Sequence, residues 1–228
     1  MKTTKLIVVR HGNTFDKGDT ILRVGSKTDL PLTAAGVQQS RQAGLALKEM
    51  QLYPTCFFSA PLKRTLETCN EISKVFEHRE LPIISNFLLE FDYGPDEGKP
   101  ESEVLIRLGN EEANQSGKID VQPFDAEEMG RESLKRWDAE KRLPQGWSFL
   151  QPRVSHLEQD WIDFAQEMIA NHQGETVVAV TSNGIARFST AILPPSAQYP
   201  ENLKLSTGAF GVYEHNGEFW ELKNWNIR

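Results

Sequence analysis

The chain has 228 residues and a formal charge of −7 at pH 7, with a pI near 5.3, 39% hydrophobic residues and a mean hydropathy of −0.47. That length supports one sizeable core, or one core with an inserted cap, and the composition is that of an ordinary globular protein rather than a disordered one. An acidic surface without a lysine-rich run or an aromatic-interleaved basic stretch argues against nucleic acid and against anionic membrane as partners.

Leu6, Ile7, Val8 and Val9 make an apolar run too short for a membrane span or a signal-peptide core, and it reads as a buried first strand that stops at Arg10, His11 and Gly12. With no targeting segment legible there, the expected location is the cytoplasm. Thr33 is placed to cap a helix whose apolar positions are Val37, Ala43, Leu45 and Leu47, weakened by Gly36 and Gly44. Residues 55–58 then give a short strand, 59–61 a turn, and Leu62, Leu66, Cys69, Ile72 and Val75 the apolar positions of a second helix. "LPIIS" is a third candidate strand.

Residues 99 to about 172 are charged and end in a run with Leu157, Trp161, Phe164 and Met168 at helical spacing, which reads as an inserted, largely helical cap. Residues 176–181 form another buried strand that breaks at Ser182, Asn183 and Gly184 before a helix. The tail "FGVYEHNGEFWELKNWN" alternates around Asn216-Gly217, a hairpin that closes one sheet edge. Recurring strand, turn and helix predict a single α/β domain over residues 1–228, a three-layer sandwich with a mostly parallel central sheet, helices on both faces and the cap.

Ligands in such sheets bind beyond the carboxyl ends of the strands. Arg10, His11, Arg64, Glu90, Ser182 and Asn183 all follow strand ends and are expected to share one pocket. Two arginines on a small site call for an anion, since the guanidinium fork suits phosphate. An imidazole nitrogen between them can attack phosphorus, and Glu90 can supply the proton that the departing oxygen needs. Cys56 and Cys69 lack metal-ligand partners at suitable spacing and read as buried free thiols in a reducing compartment.

"VVRHGNT", "DLPLTAAGVQQS", "FFSAPLKRTLET", "LLEFDYGPDEG" and "VVAVTSNGIARF", in this order, resemble the histidine phosphatase superfamily, in the branch that includes the phosphoglycerate mutases. The resemblance covers residues 5–98 well, 174–190 partly and the cap hardly at all. It implies the same α/β fold with a cap, and phosphoryl transfer through a phosphohistidine without metal or other cofactor. It implies His11 as nucleophile, Arg10 and Arg64 as holders of the phosphoryl group, and Glu90 as the acid that later activates water. Asn13 and Arg23 would contact phosphate or the rest of the substrate, and Asn183, next to Ser182, is expected to help it bind the substrate phosphate.

One departure stands out. Where the family places a second histidine, in a pattern like Ser-His-Gly-Gly, this chain has Thr181, Ser182, Asn183 and Gly184. A serine hydroxyl donates a neutral hydrogen bond about half as strong as the charged one. Three readings stand: Ser182 works with slow or specialised turnover, His156 or His172 reaches in from the cap, or the site binds a phosphate ester without cleaving it. The first gives a metal-independent phosphatase acting on a small phosphorylated metabolite or a phosphoprotein. A non-catalytic phosphate-ligand binder and a phosphoglycerate mutase are the alternatives. Arg187 is as suited to packing or pairing as to substrate, Trp137, Trp147 and Trp161 read as cap core, and His78 and His215 carry no functional signal.

Overall fold

Leu6, Ile7, Val8 and Val9 have no solvent exposure because both faces of their strand are covered. In the computed structural model, which describes residues 3–117 and 121–228, this strand is β1 (Thr4–Arg10). There follow α1 (Ala34–Glu49), β2 (Cys56–Ser59), α2 (Lys63–Val75), β3 (Ile83–Ile84), α3 (Glu101–Gln115), α4 (Pro123–Glu140), α5 (Gln151–Asn171), β4 (Thr176–Thr181), the short α6 (Asn183–Ala186), β5 (Phe210–His215) and β6 (Trp220–Ile227). The strands form one sheet in the order β3-β2-β4-β1-β5-β6. It is parallel from β3 to β1, with β5 antiparallel to β1 and β6 antiparallel to β5.

Alternation along the strands splits the core into two layers. Leu6, Val8, Val177 and Ala179 share a cluster with Leu157, Trp161, Phe164 and Met168 of α5, while Ile7, Val9, Val178 and Val180 pack with residues of α1 and α2. Each such side chain removed from water contributes about 1.5–3 kcal/mol. Thr33 caps α1 as expected, its Oγ1 accepting from Gly36 N–H at 3.2 Å. The buried stripe of α1 differs from the expected one: Gly36, Ser40, Ala43, Gly44 and Leu47 face inward, whereas Val37 and Leu45 are exposed. Small residues are chosen there by close approach, and a Cβ on Gly44 would lie 2.8 Å from Val75.

The stretch 99–172, read as one insertion, is helical and its parts do different things; residues 118–120 lie outside the described residues. Helices α3 and α4 pack on each other through Gly109 and Gly130, where added Cβ atoms would fall 1.7 Å from the Ala126 oxygen and 1.9 Å from the Leu105 oxygen. The buried Asp96 fastens this pair to the turn after β3, since it pairs with Arg107 of α3 and accepts from Trp147 Nε1 at 2.7 Å. By contrast α5 lies against the sheet and supplies one outer layer of the sandwich. The third candidate strand shortens to Ile83–Ile84 at one sheet edge, and the expected hairpin closes the other. There Asn216 Oδ1 accepts from the Glu218 and Phe219 N–H groups at 2.9 and 3.0 Å, and Gly217 takes a φ of 109°. No helix among the described residues is long and apolar enough to cross a membrane. Cys69 is buried and Cys56 partly so, both as free thiols.

Candidate functional site

The carboxyl ends of β1 and β4 are tied together by His11 N–H, which donates to the Thr181 carbonyl at 3.0 Å. Beyond it Gly12 nests on the start of α1, where a Cβ would lie 2.3 Å from the Gly36 oxygen, and its N–H donates to Thr68 Oγ1 at 3.1 Å. These contacts fix the turn that presents the His11 imidazole. Nδ1 lies 2.8 Å from the Gly12 carbonyl. A carbonyl only accepts, so Nδ1 carries the proton and Nε2 keeps its lone pair. Burial, then the neighbouring Arg64 and Arg10, hold the imidazole pKa well below its ordinary 6.5, so the ring is neutral at neutral pH.

Both arginines are gripped by backbone carbonyls. Arg10 Nη1 donates to Leu205 O at 2.6 Å, and Arg64 Nη1 and Nη2 donate to Thr28 O at 2.8 Å and Gly25 O at 3.0 Å. Burial lowers the Arg10 pKa to about 10, which leaves it cationic at neutral pH. Glu90 is buried, its Oε1 accepting from Phe91 N–H at 2.9 Å and its Oε2 from Gly184 N–H at 3.1 Å. Gly184 is needed for this approach, because a Cβ there would lie 2.0 Å from Glu90 Oε1. Thr181 Oγ1 donates to Leu88 O at 2.5 Å, which draws the Glu90 segment onto the end of β4. Ser182 is 2% exposed and begins the turn into α6.

Arg10, His11, Asn13, Arg23, Glu90 and Asn183 line one cavity of about 530 Å³; Arg64 and Ser182 are buried off its surface. Among the described residues five buried side-chain polar atoms have no protein partner, and three of them are Arg10 Nε, Arg64 Nε and Ser182 Oγ. A fourth, Arg23 Nε, belongs to the same cavity wall. Buried donors without acceptors are rare and costly, about 1–3 kcal/mol each, so their recurrence on the cavity wall and on the buried residues at the end of β4 and the start of α2 marks a place for an acceptor-rich ligand.

The remaining expected residues are placed as follows. The Asn13 backbone is fastened to Gln39 and Thr33, and the residue lines the cavity. Arg23 pairs with Glu101 and lies over the rings of Tyr93 and Trp147, 5.2 and 4.9 Å from their centroids. The Asn183 amide is already engaged, donating to Asp138 Oδ1 at 3.4 Å and accepting from Leu205 N–H at 2.9 Å. Arg187 is buried, paired with Asp138 at 2.8 Å and stacked on Trp137. The three tryptophans are buried in the core cluster.

The expectation that a cap histidine reaches the site fails. His156 is exposed on α5, and His172 sits before β4, at the opposite end of that strand from Ser182, bonded to Glu175 at 3.0 Å. His78 packs on Phe57 and His215 on Trp220. Residues missed from sequence are those brought in by α4 and the segment before β5: Asp138, Arg131, Lys135 and Lys204 all line the cavity. No local pattern marks them, since only tertiary packing carries them there.

Residues 6–140, more than half of the chain, match the family model described as histidine phosphatase superfamily (branch 1). The sequence is similar to phosphoglycerate mutase 1 of Saccharomyces cerevisiae, 32% identical over 126 residues that cover 54% of this chain and 50% of that protein. The matched stretch thus spans half the length of that relative. The fold is similar to a phosphoglycerate mutase from Bacillus anthracis, with a TM-score of 0.69, 20% identity, and 99% of this chain and 93% of that chain covered. It is likewise similar to a mycobacterial glucosyl-3-phosphoglycerate phosphatase, with a TM-score of 0.64, 18% identity, and 98% and 99% covered. With the five sequence blocks, the sheet order and the matched family model in agreement, the chain belongs to the histidine phosphatase superfamily, branch 1.

Proposed function

We propose that the protein is a metal-independent phosphomonoesterase that passes the phosphoryl group of its substrate to Nε2 of His11 and then to water. The observation that carries this reading is a neutral imidazole beside two arginines, with unpartnered buried polar atoms on Arg10, Arg64 and Ser182. In the first half, Arg10 and Arg64 hold the phosphoryl oxygens while the Nε2 lone pair forms the N–P bond and the P–O bond to the leaving group breaks. Glu90 gives its proton to the departing oxygen. In the second half Glu90 takes a proton from water, whose oxygen attacks phosphorus. The N–P bond breaks, and inorganic phosphate leaves with Glu90 reprotonated once the cycle closes.

The two guanidinium groups meet the phosphoryl charge that a metal would otherwise meet. A cavity of about 530 Å³ suits a small phosphorylated metabolite better than the surface of a phosphoprotein. Ser182 takes the place of a cationic donor, and a missing donor aimed at developing charge costs about 10²–10³ in rate. Turnover is therefore expected to be slow, and mutase activity less favoured than hydrolysis.

Hydrolysis of an aryl phosphate in the presence of a metal chelator tests the reading. Wild type turns over, His11→Ala is inactive, and Ser182→His is faster by at least about tenfold. Phosphate binding without turnover in the wild type, unchanged in Ser182→His, would mark the protein as a phosphate-ligand binder.

A further inference from the structure

The Leu205 carbonyl that grips Arg10 belongs to an irregular segment before β5, and that segment is itself held by one carboxylate of α4. Leu205 N–H donates to Asn183 Oδ1 at 2.9 Å, and Asn183 Nδ2 donates to Asp138 Oδ1 at 3.4 Å. The adjacent Lys204 Nζ donates to Asp138 Oδ2 at 2.6 Å. Asp138 thus reaches two consecutive residues of the segment, one through Asn183 and one directly. Its own position is set by Arg187, which donates to Asp138 Oδ1 at 2.8 Å, to Trp137 O at 2.5 Å and, through Nε, to Asn183 O at 3.2 Å.

We infer that Asp138 is a positioning residue for Arg10: by way of Asn183 and Lys204 it sets the Leu205 carbonyl that aims the Arg10 guanidinium at the phosphoryl site. The inference rests on the proposed reading of Arg10 as a phosphate ligand. It accounts for the engaged amide of Asn183, a residue expected from the sequence to contact substrate. It also explains why an acid stands at this point of the cavity wall, where a substrate anion would be repelled by a free carboxylate. Both Asp138 oxygens are occupied by donors, so its charge is consumed within the protein.

Asp138→Asn is the informative variant. Its side-chain oxygen can still accept from Arg187 and Asn183, while its NH₂ group faces the Lys204 ammonium, donor against donor. Asp138→Ala would strand the buried Arg187 and is avoided. Calorimetric titration with inorganic phosphate is run on wild type, Asp138→Asn, Arg10→Gln and the double variant. Asp138→Asn should weaken phosphate binding about tenfold in the wild-type background and less than about twofold when Arg10 is already replaced. With an aryl phosphate, Asp138→Asn should raise KM by a similar factor, whereas a loss of folded protein alone would lower kcat at unchanged KM. Lys204→Gln cuts the same arm from the other side and replaces Asp138→Asn in the cycle should that variant not fold. Equal losses in both backgrounds, or an unchanged KM, would overturn the inference. A wild type that binds no phosphate would overturn the site reading and this inference together.

Discussion

In the proposed reaction His11 must keep its lone pair to attack phosphorus, and burial and two guanidinium groups oppose its protonation. Activity should therefore persist as the pH drops through 6.5 and fall only as the pH passes the depressed pKa. Arg64→Ala should move that acid limb upward, which a profile of kcat/KM against pH would show. Stability has the same sign: the unfolded chain takes up a proton near pH 6.5 that folded His11 refuses, so this contribution is lost on acidification below that value. Gly184 makes a second test at this scale. A Cβ on it would displace Glu90, so Gly184→Ala should lower kcat/KM, which reads the phosphorylation step, at least about tenfold for an alkyl phosphate and much less for p-nitrophenyl phosphate, since nitrophenolate leaves without a proton, whereas the shared dephosphorylation step should lower kcat for both. Arg10, His11 and Ser182 are legible in the sequence because they stand where the apolar runs of β1 and β4 end, and Glu90 because it follows Leu88 and Leu89 in a block that resembles the family. Asp138 and Lys204 are not, because a helix and a loop distant in sequence supply them and neither carries a local signature.

Elements are legible where burial is two-sided and hydrophobic, as in β1 and β4, and less so where close packing selects small residues. In α1 the inward positions Gly36, Ser40 and Gly44 are chosen by contact distance, so a reading based on hydrophobicity picks the exposed Val37 and Leu45 instead. Likewise the stripe Leu157, Trp161, Phe164 and Met168 announces that α5 buries a face, without saying that the partner is the sheet rather than a cap core. Gly109 and Gly130 are where the α3–α4 contact can be tested. Gly130→Ala places a methyl 1.9 Å from the Leu105 oxygen and must push the helices apart. It should lower stability by about 1–3 kcal/mol in urea unfolding and raise KM, because Asp138 rides on the same helix.

The whole molecule is acidic, yet its cavity is lined by six lysines and arginines against three carboxylates. Net charge thus argues against a polyanionic partner surface and says nothing of a small enclosed anion, whose site is set by local fields. That field, the unpartnered donors and the neutral His11 all converge on a single claim, a phosphoryl group carried on nitrogen. The direct measurement is rapid quenching of the protein with a ³²P-labelled phosphomonoester, followed by mapping of the label. The account predicts a phosphoryl group on His11 that is labile to acid and stable to base, absent in His11→Ala and longer-lived in Glu90→Gln. Turnover without any such label in wild type and Glu90→Gln alike would contradict it.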